Sequence, residues 1–223
     1  MDKNYFLKKN DIFDILDVVI HIASFEKDAW FKLTLICPEF KKYAFSKAGR
    51  NKYVEIATEK ETTPYLTAYT LFGKYHREGD LPAIIYTNRF SEWYKNGKLH
   101  RKGDLPAVVY KNGTKNWYKN GELHRKGDLP AIMFANGECE WHTNGKCHRE
   151  NDLPAVVHAD GSQYWYKNGK FHRERDLPAY IDRSGYQSWY KNGKRHREGG
   201  LPAIIYPSGD GNYYTDGVKY MPL

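Results

Sequence analysis

Long apolar runs are missing from this chain, and so is any dense set of cysteines. No stretch approaches the ~20 consecutive apolar residues that a membrane-spanning helix needs. The opening Met1-Asp2-Lys3-Asn4 begins no apolar signal core. The expectation is an unsecreted, soluble, non-transmembrane protein. Cys37, Cys139 and Cys147 are too few and too scattered for a disulfide framework, which fits a reducing, intracellular compartment. A strong charge bias is lacking too. Lys and Arg number 35 against 27 Asp and Glu, a net charge of +8. Residues 1–60 hold 11 basic against 9 acidic residues (+2), and the remainder 24 against 18 (+6), so the excess reads as spread. A basic balance of this size favours acidic partners only weakly. Phosphate-cradling glycine loops, nucleophile elbows and zinc-protease helix motifs are absent from the sequence.

What the chain does have is glycine and tyrosine, 19 of each, with 16% aromatic residues. That composition suits strands and turns better than long helices. It is also periodic. Trp93, Trp117, Trp141, Trp165 and Trp189 recur every 24 residues, with Tyr69 and Tyr213 in phase at the ends. Leu-Pro-Ala keeps the same period from Leu81 to Leu201 without insertion or deletion. A strict period implies an array of one supersecondary unit, and arrays make surfaces more readily than single pockets.

Two regions follow. Residues 1–60 read as a small three-helix domain. Asn10 or Asp11 caps the first helix, Asp28 the second, Pro38 opens the third and Gly49 closes it. Residues 61–223 read as about six hairpin units of 24 residues, a mainly β, single-layer antiparallel meander with a C-terminal cap at Tyr213, Tyr214 and Met221-Pro222-Leu223. Each unit carries two turn signals, such as Asn112-Gly113 and Asn120-Gly121, hence two strands per unit and about a dozen in all. At two strand spacings per unit the ribbon is on the order of 60 Å long. Leu-Pro-Ala sits inside the longer strand, so Pro106 and its equivalents mark a break or bulge.

With two-residue turns, Val108 faces Trp117 and Trp117 faces His124. One face then holds Val108, Trp117 and His124, the other Ala107, Val109, Tyr118 and Leu123. A one-residue bulge would shift this register. The tryptophans are expected to pack with Ile84, Val108, Ile132 and Val156. His100, His124, His148, His172 and His196 form a second core column, each packing on tryptophan and donating to a backbone carbonyl. The neighbouring Arg column is expected to pair with Asp80, Asp104, Asp128, Asp152 and Asp176. A His-Arg-Asp trio recurring at fixed phase belongs to a scaffold, whereas catalysis needs one pre-organised pocket. No catalytic residue, metal or cofactor is therefore assigned. Cys139, His142, Cys147 and His148 have zinc-type chemistry but fall on opposite faces of the ribbon. Lysines near the turn tips, Lys95 and Lys119 among them, keep an open sheet soluble. Thr143 and Glu122 interrupt their row, so nucleic acid is not the expected partner. The position where units differ most is Tyr75, Leu99, Leu123, Cys147, Phe171 and Arg195, the candidate partner-binding column.

The segments Ile15-Leu16-Asp17-Val18-Val19-Ile20-His21-Ile22-Ala23-Ser24-Phe25 and Leu33-Thr34-Leu35-Ile36-Cys37-Pro38-Glu39-Phe40 resemble an F-box. The resemblance implies that Val18, Ile22, Phe25, Leu35 and Phe40 dock a Skp-type adaptor of a ubiquitin ligase. Trp117-Tyr118-Lys119-Asn120-Gly121 with His124 is similar to a MORN-variant repeat, over about two thirds of the chain. The pairing resembles repeat proteins of large DNA viruses. It implies a non-enzymatic protein–protein interaction protein, in the cytoplasm or in a viral particle. Two alternatives are a structural or assembly component of a particle and a weak tether to an anionic membrane surface. No small-molecule substrate is expected.

Overall fold

A computed structural model describes residues 57–222, together with Pro38, Lys42 and residues 44–49. Pro38, Lys42, Ala44 and residues 47–49, within the expected third helix, are helical. The other helical expectations for the first 56 residues, with the docking positions Val18, Ile22, Phe25, Leu35 and Phe40, lie outside the described residues. The sheet is already under way at Thr58–Thr62, which pairs antiparallel with Leu66–Leu71. Among the described residues no helix is long and apolar enough to cross a membrane.

The described array is mainly β. One antiparallel sheet of 16 strands runs through it, and five two-stranded hairpins stand beside it. Neighbours in the large sheet follow chain order with no crossover between units. The unit has four short strands where the sequence predicts two. In the third unit Val108–Val109 and Lys115–Asn116 belong to the large sheet, and Tyr118–Lys119 and Glu122–Leu123 form the side hairpin. Strands of two residues are short because each is bounded by a turn or by a residue whose backbone bonds elsewhere. Trp117 N–H donates to the Ala131 carbonyl of the following unit, and Ala131 N–H donates to Glu140.

The two turns of the unit differ, although both contain Asn-Gly. At Asn120-Gly121 both residues have positive φ, 54° and 93°. That is a type I′ turn, which matches the twist of its strands. It places Tyr118 opposite Leu123 and Lys119 opposite Glu122, as expected. At Lys111-Asn112-Gly113 only the glycine is left-handed. Gly113 N–H donates to Tyr110 and Tyr110 N–H to Thr114, closing a three-residue loop with a glycine bulge. Asn112 favours this loop by accepting from Thr114 N–H through its own side chain.

The consequence is a one-residue correction. Val108 pairs with Asn116 and Val109 with Lys115. Cross-strand partners share a face, so Val108 leaves the tryptophan side. Ile84, Val108, Ile132 and Val156 all lie in one row with Asn116 and Glu140, on the face of Tyr118 and Leu123. They do not pack with the tryptophans as expected; the residues that share the tryptophan face are Val109, Lys115 and Met133.

A third turn completes each unit. Gly103 and Asp104 are both left-handed, as are their equivalents Asn151-Asp152 and Arg175-Asp176. This turn ends the side hairpin's return, and Leu-Pro-Ala then leads into the next strand. Pro106 therefore precedes the strand and does not interrupt one. Ala107 and its equivalents Ala83, Ala131, Ala155, Ala179 and Ala203 are fully buried. The thin core of the ribbon follows this alanine line.

Candidate functional site

The tryptophan face is a repeated clasp. The Arg125 guanidinium lies 3.9 Å from the centre of the Trp117 ring. It also reaches back 21 residues to Asp104, with Nη2 at 2.9 Å from Oδ2, and forward to the Pro130 carbonyl. The Trp117 indole N–H donates to the Asp104 carbonyl at 3.0 Å. The same set recurs with Arg101 on Trp93, Arg149 on Trp141, Arg173 on Trp165 and Arg197 on Trp189. Each Arg ties three consecutive segments together. Trp117, Trp165 and Trp189 are buried, and Trp93 and Trp141 are half-buried. Hydrogen bonding to the guanidinium holds the Asp80, Asp104 and Asp128 carboxyls below their usual range.

The histidines act differently from the expectation. Each Nδ1 accepts a backbone N–H twenty residues on: Asn120 to His100, Asn144 to His124, Asn168 to His148 and Asn192 to His172. The correction is one of polarity. An accepting Nδ1 leaves the proton on Nε2 and requires a neutral ring. In several units Nε2 meets a carboxylate two residues later, as His148 meets Glu150 at 2.8 Å. His100 and His124 are followed instead by Lys102 and Lys126. Burial first, then these and neighbouring lysines, push both histidine pKa values down.

Adjacent units are also stapled through the variable column. Gly121 N–H donates to the Leu99 carbonyl, Gly145 to Leu123, Gly169 to Cys147, Gly193 to Phe171 and Gly217 to Arg195. The structural bond uses only backbone at these positions, which leaves the side chains free to differ. Those side chains stand on the tyrosine face. Phe171 packs on Tyr166 at 4.2 Å and stacks on Tyr190 at 4.9 Å. Tyr164 stacks on Tyr180, and Tyr186 bridges Tyr180 and Tyr206. Arg195 donates to the Tyr190 hydroxyl and lies between the rings of Tyr190 and Tyr214. Ser188, fully buried, occupies the place that Tyr164 fills one unit earlier. Tyr164, Phe171, Tyr180, Tyr186, Tyr190 and Arg195 enclose an open hollow of about 440 Å³. Sequence reasoning singled out Phe171 and Arg195 but missed the tyrosines around them: Tyr190 belongs to a recurring aromatic column, while Tyr164, Tyr180 and Tyr186 are each the only tyrosine in columns where other units carry residues such as Asn116, Val108 and Thr114.

The zinc-type residues stay apart. His142 and Cys147 pair across the side hairpin, while Cys139 lies in the row with Met133 and Val157, on the other face. Among the described residues no group of three or more His, Cys, Asp or Glu side chains is placed to hold a metal ion. Burial, with Glu140 adding to it, pushes the Cys147 thiol up to about 12, so it stays protonated and unreactive at neutral pH. Compared with known protein-family models and with curated proteins, the chain matches none.

Proposed function

We propose that this chain is a non-enzymatic interaction protein whose tyrosine face holds a protein partner. One observation carries the reading. The column that varies between units accepts the next unit's turn glycine N–H through its backbone carbonyls, and two of its side chains, Phe171 and Arg195, line an aromatic hollow. Tyrosine supplies large, rigid contact area at low entropic cost, and aromatic and Arg side chains are the usual anchors of protein interfaces. The recurrence of the Trp-Arg-Asp clasp in five successive units supports a scaffold role for residues that would otherwise suggest catalysis. The resemblance to MORN-variant repeats supports an array of this kind, and the resemblance to an F-box supports a second docking site at Val18, Ile22, Phe25, Leu35 and Phe40, with ligase recruitment as its role.

The test is site-specific photocrosslinking in the full chain. A photoreactive residue at Phe171 or Leu123 should capture a partner, whereas one at Lys115, on the opposite face, should not. Capture from Lys115 alone overturns the assignment of the face. The head is tested separately: loss of a Skp-type adaptor from pull-downs on Phe25→Ala/Leu35→Ala is expected, and its absence from wild-type pull-downs sinks the ligase role.

A further inference from the structure

The positive charge of the array is concentrated. Residues 95–126 contain seven lysines and two arginines against Asp104 and Glu122, a net of +7. Residues 61–94 carry three basic against four acidic residues, and residues 127–223 twelve against twelve. The excess that reads as spread along the sequence therefore falls within little more than one period.

The structure explains why this charge is not neutralised locally. In the later units the lysine before each I′ turn meets a carboxylate seven residues on: Lys167 with Glu174 at 2.9 Å and Lys191 with Glu198 at 2.6 Å. In the earlier units the same positions hold Lys95 with Lys102 and Lys119 with Lys126. All four are exposed, and among the described residues none forms a salt bridge with a carboxylate, although Glu122 stands opposite Lys119 in the hairpin. Lys102, Lys119 and Lys126, with His100 and His124, line an open groove of about 460 Å³. Lys95 and Lys102 line the adjoining hollow. Burial first, and these lysines second, lower the His100 and His124 pKa values, so the positive charge is felt at both rings.

We infer that this groove, on the tryptophan face, binds a short acidic protein segment. Its length selects the class of polyanion. Glu78 bounds it on one side and Glu150 on the other, beside His76 and His148. Two units span about 20 Å, which matches roughly six residues of extended chain. A long polyanion would run on over the flanking glutamates. Stacking platforms for bases are also lacking here, since Trp117 is buried and Arg125 covers its ring. A run of Asp and Glu residues needs only the lysines. This surface is opposite the tyrosine face and stands independently of it.

The test uses the full chain and a fluorescein-labelled octapeptide of Asp and Glu, with an eight-nucleotide oligothymidylate as comparator, followed by fluorescence anisotropy at low and physiological salt. The peptide should bind and weaken as salt rises. The double variant Lys102→Glu/Lys126→Glu copies the carboxylate pattern of the later units, so it should fold. It should bind at least about tenfold more weakly. A control with the same charge change, Lys170→Glu/Lys194→Glu, should stay within about twofold. Equal losses in both variants, no peptide binding at low salt, or tighter binding of the oligothymidylate would each overturn the inference.

Discussion

Arg125 holds a ring, a carboxylate and a carbonyl at once, and only a planar, forked cation can do so. Arg125→Lys keeps the charge but loses the fork and the stacking. It should destabilise the chain by about 1–2 kcal/mol, read as a lower urea midpoint. Asp104→Asn should cost less, because that carboxylate is half exposed and screened; the reverse order would show that charge pairing, and not stacking, makes the clasp. The lowered carboxyl pKa values fix the pH dependence. Stability from Asp80, Asp104 and Asp128 is present above their unfolded value near 3.8 and is lost as pH falls through the lower folded values. Neutral His100 and His124 act in the same direction at higher pH. With folded pKa values below 6.5, acidification must protonate the rings that accept from Asn120 and Asn144. Long-range nitrogen NMR should show both rings protonated on Nε2 at pH 7 and titrating below 6.5. A midpoint above 6.5 would contradict the acceptor role.

The elements show which signals in the chain were legible. Asn120-Gly121 reads as a I′ turn because both residues accept positive φ, and both adopt it. Asn112-Gly113 carries the same dipeptide, yet there only the glycine is left-handed and the register moves by one. Nothing in two letters separates these loops, since Asn serves equally well in the right-handed position of a bulged loop. That single ambiguity moved Val108 across the sheet, while the side hairpin, the separation of Cys139 from Cys147 and the Arg–Asp ties were readable from spacing. The third turn escaped notice because its column mixes Gly79, Gly103 and Gly127 with Asn151 and Arg175. All are left-handed, and an Arg there is strained. Arg175→Gly should therefore stabilise the chain by about 0.5–1 kcal/mol, the strain relieved exceeding the added freedom of the unfolded chain. A lower urea midpoint would mean that the Arg175 side chain makes contacts worth more than the strain.

At the scale of the molecule, successive strands follow chain order and each unit bonds only to its neighbours. Such an array should tolerate loss of a whole period and nothing else. Deleting residues 141–164 joins Glu140 to Trp165 in phase, so every alternation of faces is kept. Deleting one residue fewer reverses that alternation beyond the junction and places the clasp on the wrong side. The 24-residue deletion should unfold cooperatively in urea with a strand-type circular dichroism spectrum, and the 23-residue deletion should not. The same deletion separates the two surfaces. It leaves residues 95–126 untouched, so affinity for the acidic peptide should stay within about twofold. It also removes Tyr164, whose ring packs 6.1 Å from Phe171 and stacks on Tyr180, and leaves Glu140 in its place. Capture of a partner from Phe171 should then be lost while peptide binding survives. Joint loss of both in a folded deletion would show that the two faces form one site, which the opposed directions of Tyr118 and Lys119 argue against.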